Sequence, residues 1–361
     1  MNICHVVGAR PNFMKIAPVH RALSQYPAVR QFVVHTGQHY DFNMSDVFFQ
    51  QLGMPAPDIN LQVGSCSHAQ QTAQIMSRFE GVVLERKPDL VMVYGDVNST
   101  VAAALVCAKL GVPLAHVEAG LRSFDRTMPE EINRLLTDQL ADLLFTPSPD
   151  GNANLEREGI HRDKVHLVGN VMIDTLVRML PATVQSLSTE LPERYVLVTL
   201  HRPANVDSPE WLGEMIDVLE RIATRVPVLF PVHPRTRQRL AQRMNGNLLP
   251  AQLRLMDPLP YLEFLGLQRR AAVVITDSGG IQEETTYLGV PCLTVRENTE
   301  RPITVTEGTN ILVGRELARL PAEVEKVLAG NGKKGVVPSL WDGKAGDRIT
   351  SVVLRSLGGA Q

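Results

Sequence analysis

The sequence predicts an α/β protein of two doubly wound, Rossmann-like domains with a cleft between their strand ends. Two observations carry this expectation. Short apolar runs alternate along the chain with stretches of helical length, the pattern of a parallel sheet covered on both faces. The alternation also breaks at Gly169-Asn170 and restarts at Tyr195. The expected limits are 1–169 for the first domain, 170–343 for the second, and 344–361 for a closing helix that packs back across both.

Bulk properties agree with this plan. At 361 residues, 44% apolar and 20% charged, the chain has core enough for two domains. A net charge of −2 recommends neither nucleic acid nor an anionic membrane as a partner. There is no run of about 18 apolar residues to span a bilayer. The N-terminus opens on a strand rather than on a basic and then apolar leader, so no signal peptide is expected. Cys4, Cys66, Cys107 and Cys292 form no CxxC pair, and no DxD pair or histidine cluster asks for a metal. Neither half has GxGxxG after its first strand, which argues against a bound dinucleotide cofactor. A cytoplasmic protein without cofactor follows.

The first run, NICHVV, ends at Gly8-Ala9-Arg10-Pro11 and enters a helical stretch carrying Lys15. Arg10 and Lys15 put two cations beside the free N–H groups of a helix start, a natural anion site. The second run, QFVVHT, leads into Gly37-Gln38-His39-Tyr40. Ser67 suits the cap of a helix over 68–86, which Lys87-Pro88 stops. LVMVYG then brings Asp96 to the end of an almost wholly apolar strand, where open parallel sheets place their ligands. Asp96 would also be ordinary as a helix cap. PLAHVE repeats the pattern with Glu118, and a carboxylate at such a strand end is costly unless paired or used. Glu130 and Glu131 open the next helix, where acids are favourable against the dipole whatever else they do. DLLFTPS and KVHLVGN add two more strands.

In the second half, YVLVTL runs into His201-Arg202-Pro203 and VPVLFPV into His233-Pro234-Arg235. One such histidine would be unremarked surface; two strands ending alike point to a site. LRLMD, AAVVIT and PCLTV complete the set. AAVVIT ends in Asp277-Ser278-Gly279-Gly280, where glycines let a ligand approach the backbone and the following helix start favours an anion. Glu284, about one and a half turns into that helix, is placed to accept from sugar hydroxyls. Arg296 and Arg301 follow beside Pro302, and phosphate and ribose are the natural guests of such a stretch.

With these motifs in hand, the chain resembles the non-hydrolysing UDP-N-acetylglucosamine 2-epimerase family. The resemblance runs from GARPNFMKIAPV through VYGDVNST, HVEAGLRS, MPEEINR, TLHRPAN and PVHP to ITDSGGIQEE and ENTERP. It implies the two-domain GT-B fold and interconversion of UDP-GlcNAc and UDP-ManNAc through elimination of UDP to a bound 2-acetamidoglucal. It also implies a homodimer, and a UDP-sugar as the substrate. By resemblance, Asp96, Glu118, Glu130 and His201 are the catalytic set. Arg10, Lys15, Ser278, Gly279, Gly280, Glu284 and Arg301 would bind substrate and UDP. The segment LRSFDRTM is shorter than the LRTG-type loop of relatives that bind a second UDP-GlcNAc as activator, and Tyr40 replaces an arginine. Gln38, Arg202 and His233 would then be remnants of that activator site. Alternatives are a 2-epimerase of a 3-acetamido or uronic-acid UDP-sugar, or a GT-B glycosyltransferase.

Overall fold

The computed structural model describes residues 1–37, 52–184, 191–233, 236–240 and 249–358. They form two compact units, Met1–Val177 with Ser339–Gln361, and Arg178–Pro338.

Among the described residues, unit 1 holds seven parallel strands. They are β1 (Asn2–Val7), β2 (Arg30–His35), β3 (Ile59–Asn60), β4 (Leu90–Tyr94), β5 (Leu114–Val117), β6 (Leu143–Thr146) and β7 (Val165–Leu167). Their order is β3-β2-β1-β4-β5-β6-β7, so the winding reverses between β1 and β4. Beyond the carboxyl ends of those two strands the flanking connections diverge to opposite faces and open a crevice. The strands are apolar almost throughout because helices cover both faces; every residue of β4 is buried. The helix Asn98–Leu110 packs between the helices His68–Arg86 and Pro129–Leu140, and its Ala102, Ala103 and Ala104 are wholly buried. Alanine lets three helices lie close on one sheet face. Ser67 caps the helix His68–Arg86 by accepting from the Gln70 N–H at 3.4 Å, and Lys87 ends it in a left-handed conformation before Pro88. Both were expected.

The helix Arg10–Leu23 carries Pro18 in its interior, which denies the Met14 carbonyl its usual donor. The Thr175 hydroxyl replaces it, donating to Met14 O at 2.6 Å. That bond ties the helix Val171–Met179 to the helix Arg10–Leu23, and the division falls within it, at Val177, where the sequence placed the limit at 169. The closing helix Ala345–Gly358 lies in unit 1 as well. Asp174 accepts from the Ala345 and Gly346 N–H groups at its start, at 3.1 and 2.7 Å. Gly346 lies against Pro18, where an added Cβ would stand 2.8 Å from the Pro18 carbonyl oxygen. The Trp341 indole, buried, donates to Pro147 O at 2.9 Å.

Unit 2 repeats the plan with six parallel strands among its described residues, in the order β10-β9-β8-β11-β12-β13. These are β8 (Val196–Thr199), β9 (Val228–Pro231), β10 (Leu253–Met256), β11 (Val273–Thr276), β12 (Cys292–Thr294) and β13 (Asn310–Leu312). The reversal lies between β8 and β11. Alternate residues face opposite sides: Val196, Val198, Phe230 and Ile275 pack with Met215, Leu219 and Ile222 of the helix Pro209–Ala223, while Tyr195, Leu197, Leu229 and Val274 pack with Leu267. The two-residue β3 and three-residue β13 were not anticipated, being too short to show a period. No helix among the described residues is long and apolar enough to cross a membrane.

Candidate active site

Around the reversal point of unit 1 the structure gathers Lys15, Asp96 and Glu118. Asn12 sets the frame. Its Oδ1 accepts from the Gly8 and Ala9 N–H groups at 3.1 and 2.9 Å, and its Nδ2 donates to Tyr94 O at 2.7 Å. The turn after β1 is thereby tied to the end of β4. Lys15, on the helix that follows, reaches Glu118 and forms a buried ion pair with its Oε2. Gly95 makes room for this pair. It sits at φ +66°, and a Cβ there would come within 2.5 Å of Lys15 Nζ and 3.1 Å of Glu118 Oε2. Glu118 itself is held at φ +75°, a conformation that costs a non-glycine residue about 1–2 kcal/mol. Such an outlier persists where the surroundings over-determine it, as functional sites do.

Asp96 is not a helix cap. The helix begins at Asn98 with Val97 at the cap position, and the Asp96 carboxylate pairs instead with Arg134 Nη1. Its backbone oxygen accepts from Asn133 Nδ2 at 2.9 Å, and its side chain remains 27% exposed. Arg134 bridges onward to Glu131 at 2.7 Å. Glu131 is the buried acid of its pair: it accepts from Ser123 N, Ser123 Oγ and Phe124 N at 3.0, 3.1 and 2.9 Å, fixing the loop behind Glu118. Burial opposes its ionisation, but the Ser123 and Phe124 N–H groups and Arg134 outweigh it and hold Glu131 below the usual carboxylate range. Glu130, by contrast, is exposed on the first helical turn. The structure therefore places Asp96 and Glu118 on one turn system and Glu130 on the surface beside it. Arg10 opens the helix Arg10–Leu23, its side chain outside the described part, and Gln38 lies outside the described residues.

Unit 2 builds its turn around Asp277, fully buried at the end of β11. The carboxylate accepts from the backbone N–H of His201 (3.1 and 3.2 Å) and Arg202 (3.0 Å), and from Asn205 Nδ2 (2.9 Å). His201 Nδ1 stands 2.8 Å from Asp277 Oδ1, which orients an imidazole that is 60% exposed. Burial would raise the Asp277 pKa, but His201 and the donated N–H groups hold it below the usual range. Arg202 Nε donates to the Asp277 carbonyl at 3.1 Å. His233 stands after β9, exposed.

Ser278 occupies the cap position of the helix Gly279–Leu288 without capping it by its side chain, which leaves the first N–H groups to an outside acceptor. Gly279 is required by its neighbour, since a Cβ would fall 2.5 Å from Arg301 Nη1. Gly280 follows inside the helix. Arg301 is clamped between Glu283 (2.7 Å) and Glu300 (2.6 Å), and Glu300 also holds Arg296 at 2.7 Å. The arginine thus buttresses the Ser278-Gly279 turn. Glu284 is 2% exposed and accepts from Tyr261 Oη at 2.9 Å. Burial pushes its pKa up to about 7.

Three contributors were given no role in the sequence reading, although Asp277 opens a motif it singled out. Asp277 satisfies the rule that singled out Glu118, a carboxylate ending an apolar strand. Arg134 was signalled by its i,i+3 spacing from Glu131. Tyr261 gave no signal.

The chain matches the family model described as UDP-N-acetylglucosamine 2-epimerase over residues 21–354. It is 41% identical to the UDP-N-acetylglucosamine 2-epimerase of Methanocaldococcus jannaschii, over 98% of this chain and 99% of that one. It is 44% identical to the UDP-2,3-diacetamido-2,3-dideoxy-D-glucuronate 2-epimerase of Pseudomonas aeruginosa, over 87% and 88%. The solved M. jannaschii UDP-GlcNAc 2-epimerase, in complex with UDP-GlcNAc and UDP, superposes with a TM-score of 0.88 at 40% identity, covering 98% of this chain and all of that one. Sequence, GT-B-type fold and extent of match agree, and the chain belongs to the UDP-N-acetylglucosamine 2-epimerase family of isomerases.

Proposed function

We propose that the chain interconverts UDP-GlcNAc and UDP-ManNAc by elimination and re-addition of UDP. The observation that carries this reading is the pair of acids, Asp96 and Glu118, at the carboxyl ends of neighbouring strands, each with its own cation. The C2 proton is not acidic, so cleavage of the C1–O bond has to run ahead of its removal. In the first step that bond breaks, its electron pair leaves with the UDP oxygen, and a carboxylate takes the C2 proton, leaving a C1=C2 double bond. In the second, an acid returns a proton to the opposite face of C2 and the UDP oxygen closes on C1. Two acids on differently paired sites suit the two faces. In unit 2, His201 and the open N–H groups at Ser278-Gly279-Gly280 would take the charge on the diphosphate, and Glu284 would accept from the ribose. Lys15 would act through Glu118.

A second substrate is favoured by one observation, the P. aeruginosa relative named for a diacetamido uronate. Proton NMR in D2O with each UDP-sugar separates the two. Deuterium entering C2 of UDP-GlcNAc, with UDP-ManNAc accumulating, is the expected result; exchange only in the diacetamido uronate would overturn the substrate assignment. Free ManNAc and UDP as products would indicate hydrolysis instead.

We further propose a cytoplasmic homodimer that supplies glycoconjugate precursors. An apolar groove of about 570 Å³ lies between the helices of unit 1, lined by Met76, Val101, Leu105, Ile132 and Leu136, of which Ile132 and Leu136 are 38% and 46% exposed. Burying that face supports self-association. Sedimentation of Leu136→Glu as a monomer beside a dimeric parent is expected; a parent that sediments as a monomer would sink the idea.

A further inference from the structure

We propose that His116, oriented by Asp138, is a positioning residue for the turn that presents Asp96. The proposal rests on the role given above to Asp96. His116 lies on β5, two residues before Glu118, and like Asp138 on the helix Pro129–Leu140 it is wholly buried. Its ring bridges that helix and the turn after β4. Nδ1 faces Asp138 Oδ1 at 2.6 Å, and Nε2 faces the backbone oxygen of Gly95, on the end of β4, at 2.9 Å. Gly95 immediately precedes Asp96 and is the residue whose missing Cβ admits the Lys15–Glu118 pair.

The other half of the pair reaches the Glu118 side. Asp138 Oδ2 accepts from the Gly120 N–H at 3.1 Å and meets Arg122 Nη2 at 2.7 Å. Glu158 holds Arg122 in turn through two bonds of 2.8 and 2.6 Å. Gly95 and Gly120 both sit at positive φ, +66° and +79°, where the chain has turned out of the sheet. The buried pair thus ties the backbone just before one candidate acid to the backbone just after the other.

Stability alone is a weak reason for this arrangement. Burying an imidazole, an arginine and a carboxylate carries a desolvation cost that well-packed apolar side chains of the same volume avoid. Apolar groups would lack the directed bonds to Gly95 O and Gly120 N. Both nitrogens of His116 have a partner, Asp138 on one side and the Gly95 carbonyl on the other.

Two isosteric variants test the role. The amide of His116→Gln reaches the Nε2 position and still donates to Gly95 O. The amide of His116→Asn reaches the Nδ1 position, keeps Asp138 and releases Gly95. Each is assayed in the full chain for kcat, KM, UDP affinity, thermal midpoint and amide hydrogen exchange over residues 95–100. His116→Asn is expected to lose about a hundredfold in kcat, the scale of an ångström of misplacement, with KM and UDP affinity within about threefold of the parent. It should also exchange faster over 95–100, while His116→Gln restores kcat to within about tenfold and keeps slow exchange. Equal kcat and equal exchange in the two variants would overturn the proposal. Faster exchange in His116→Asn, beside a parent that epimerises no UDP-sugar, would uphold the anchoring and remove the epimerase reading instead.

Discussion

The two units share one topology but use charge differently at the same place in it. Beside the reversal point of unit 1, each candidate acid meets a side-chain cation from a neighbouring helix: Lys15 for Glu118 and Arg134 for Asp96. At the equivalent place in unit 2, Asp277 spends its oxygens on backbone N–H groups and an imidazole, and the arginines are clamped by Glu283 and Glu300. One arrangement gives each carboxylate a side-chain cation. The other makes charge into scaffolding, so that helix N–H groups and a histidine ring are what face outward. The fold supplies the crevice in both; what each crevice can do is decided by who partners its acids.

If that contrast is functional, changes in unit 1 should strike turnover and changes in unit 2 should strike binding. The largest effect is expected from Glu118→Gln or Asp96→Asn, each lowering kcat at least about a hundredfold with UDP affinity little changed. Turnover followed by NMR and affinity by calorimetry check this; near-normal kcat in both variants would dissolve the distinction. Next comes Asp277→Asn, which keeps the size but loses the acceptor for several N–H groups and the partner of His201. Its expected cost is about 2 kcal/mol in stability and about tenfold in UDP affinity, read from denaturant midpoints and titration.

Glu284 sharpens the contrast through pH. Its pKa is raised from 4.5 to about 7 by burial, so the protonated form dominates below that value and the carboxylate above it. With the ribose donating to the carboxylate as proposed, UDP affinity should fall as pH drops through about 7, by about tenfold between pH 8 and pH 6. Stability runs the other way. The folded state holds this proton more tightly than the unfolded chain, so the contribution is complete below 4.5 and lost as pH rises through about 7. Glu284→Gln should flatten both trends, and a UDP affinity that stays pH-dependent in the variant would assign the dependence to another group. The smallest effect is expected from Gly279→Ala. Its Cβ must displace the Arg301 guanidinium, which Glu283 and Glu300 clamp, at a cost of about 1 kcal/mol in UDP affinity; an unchanged affinity would show that the turn does not bear on the nucleotide.

Much of this could be read before any coordinates. Most of the strands followed from the alternation of apolar runs, and Asp96 and Glu118 were singled out because charge at the end of an apolar strand demands a partner. Which partner was not legible. Lys15 read as a diphosphate ligand, but its contact with Glu118 depends on the absent Cβ of Gly95, a close approach that no spacing records. Glu130 and Glu131 are adjacent on one helix start, and only the path of the loop back to Ser123 and Phe124 buries the second and exposes the first. Local pattern fixes elements well; tertiary partners of charged groups are set by how those elements and their loops meet in space.

The return of the chain to unit 1 at Ser339 has a consequence for synthesis. Asp174 waits for the N–H groups of Ala345 and Gly346, Pro147 for the Trp341 indole, and the surface around Pro18 for Gly346. A ribosome therefore finishes unit 2 while unit 1, begun first, still lacks its closing helix. On the nascent chain the order of completion is the reverse of the order of emergence, and a stop codon placed after Pro338 would leave the earlier-made half unsealed.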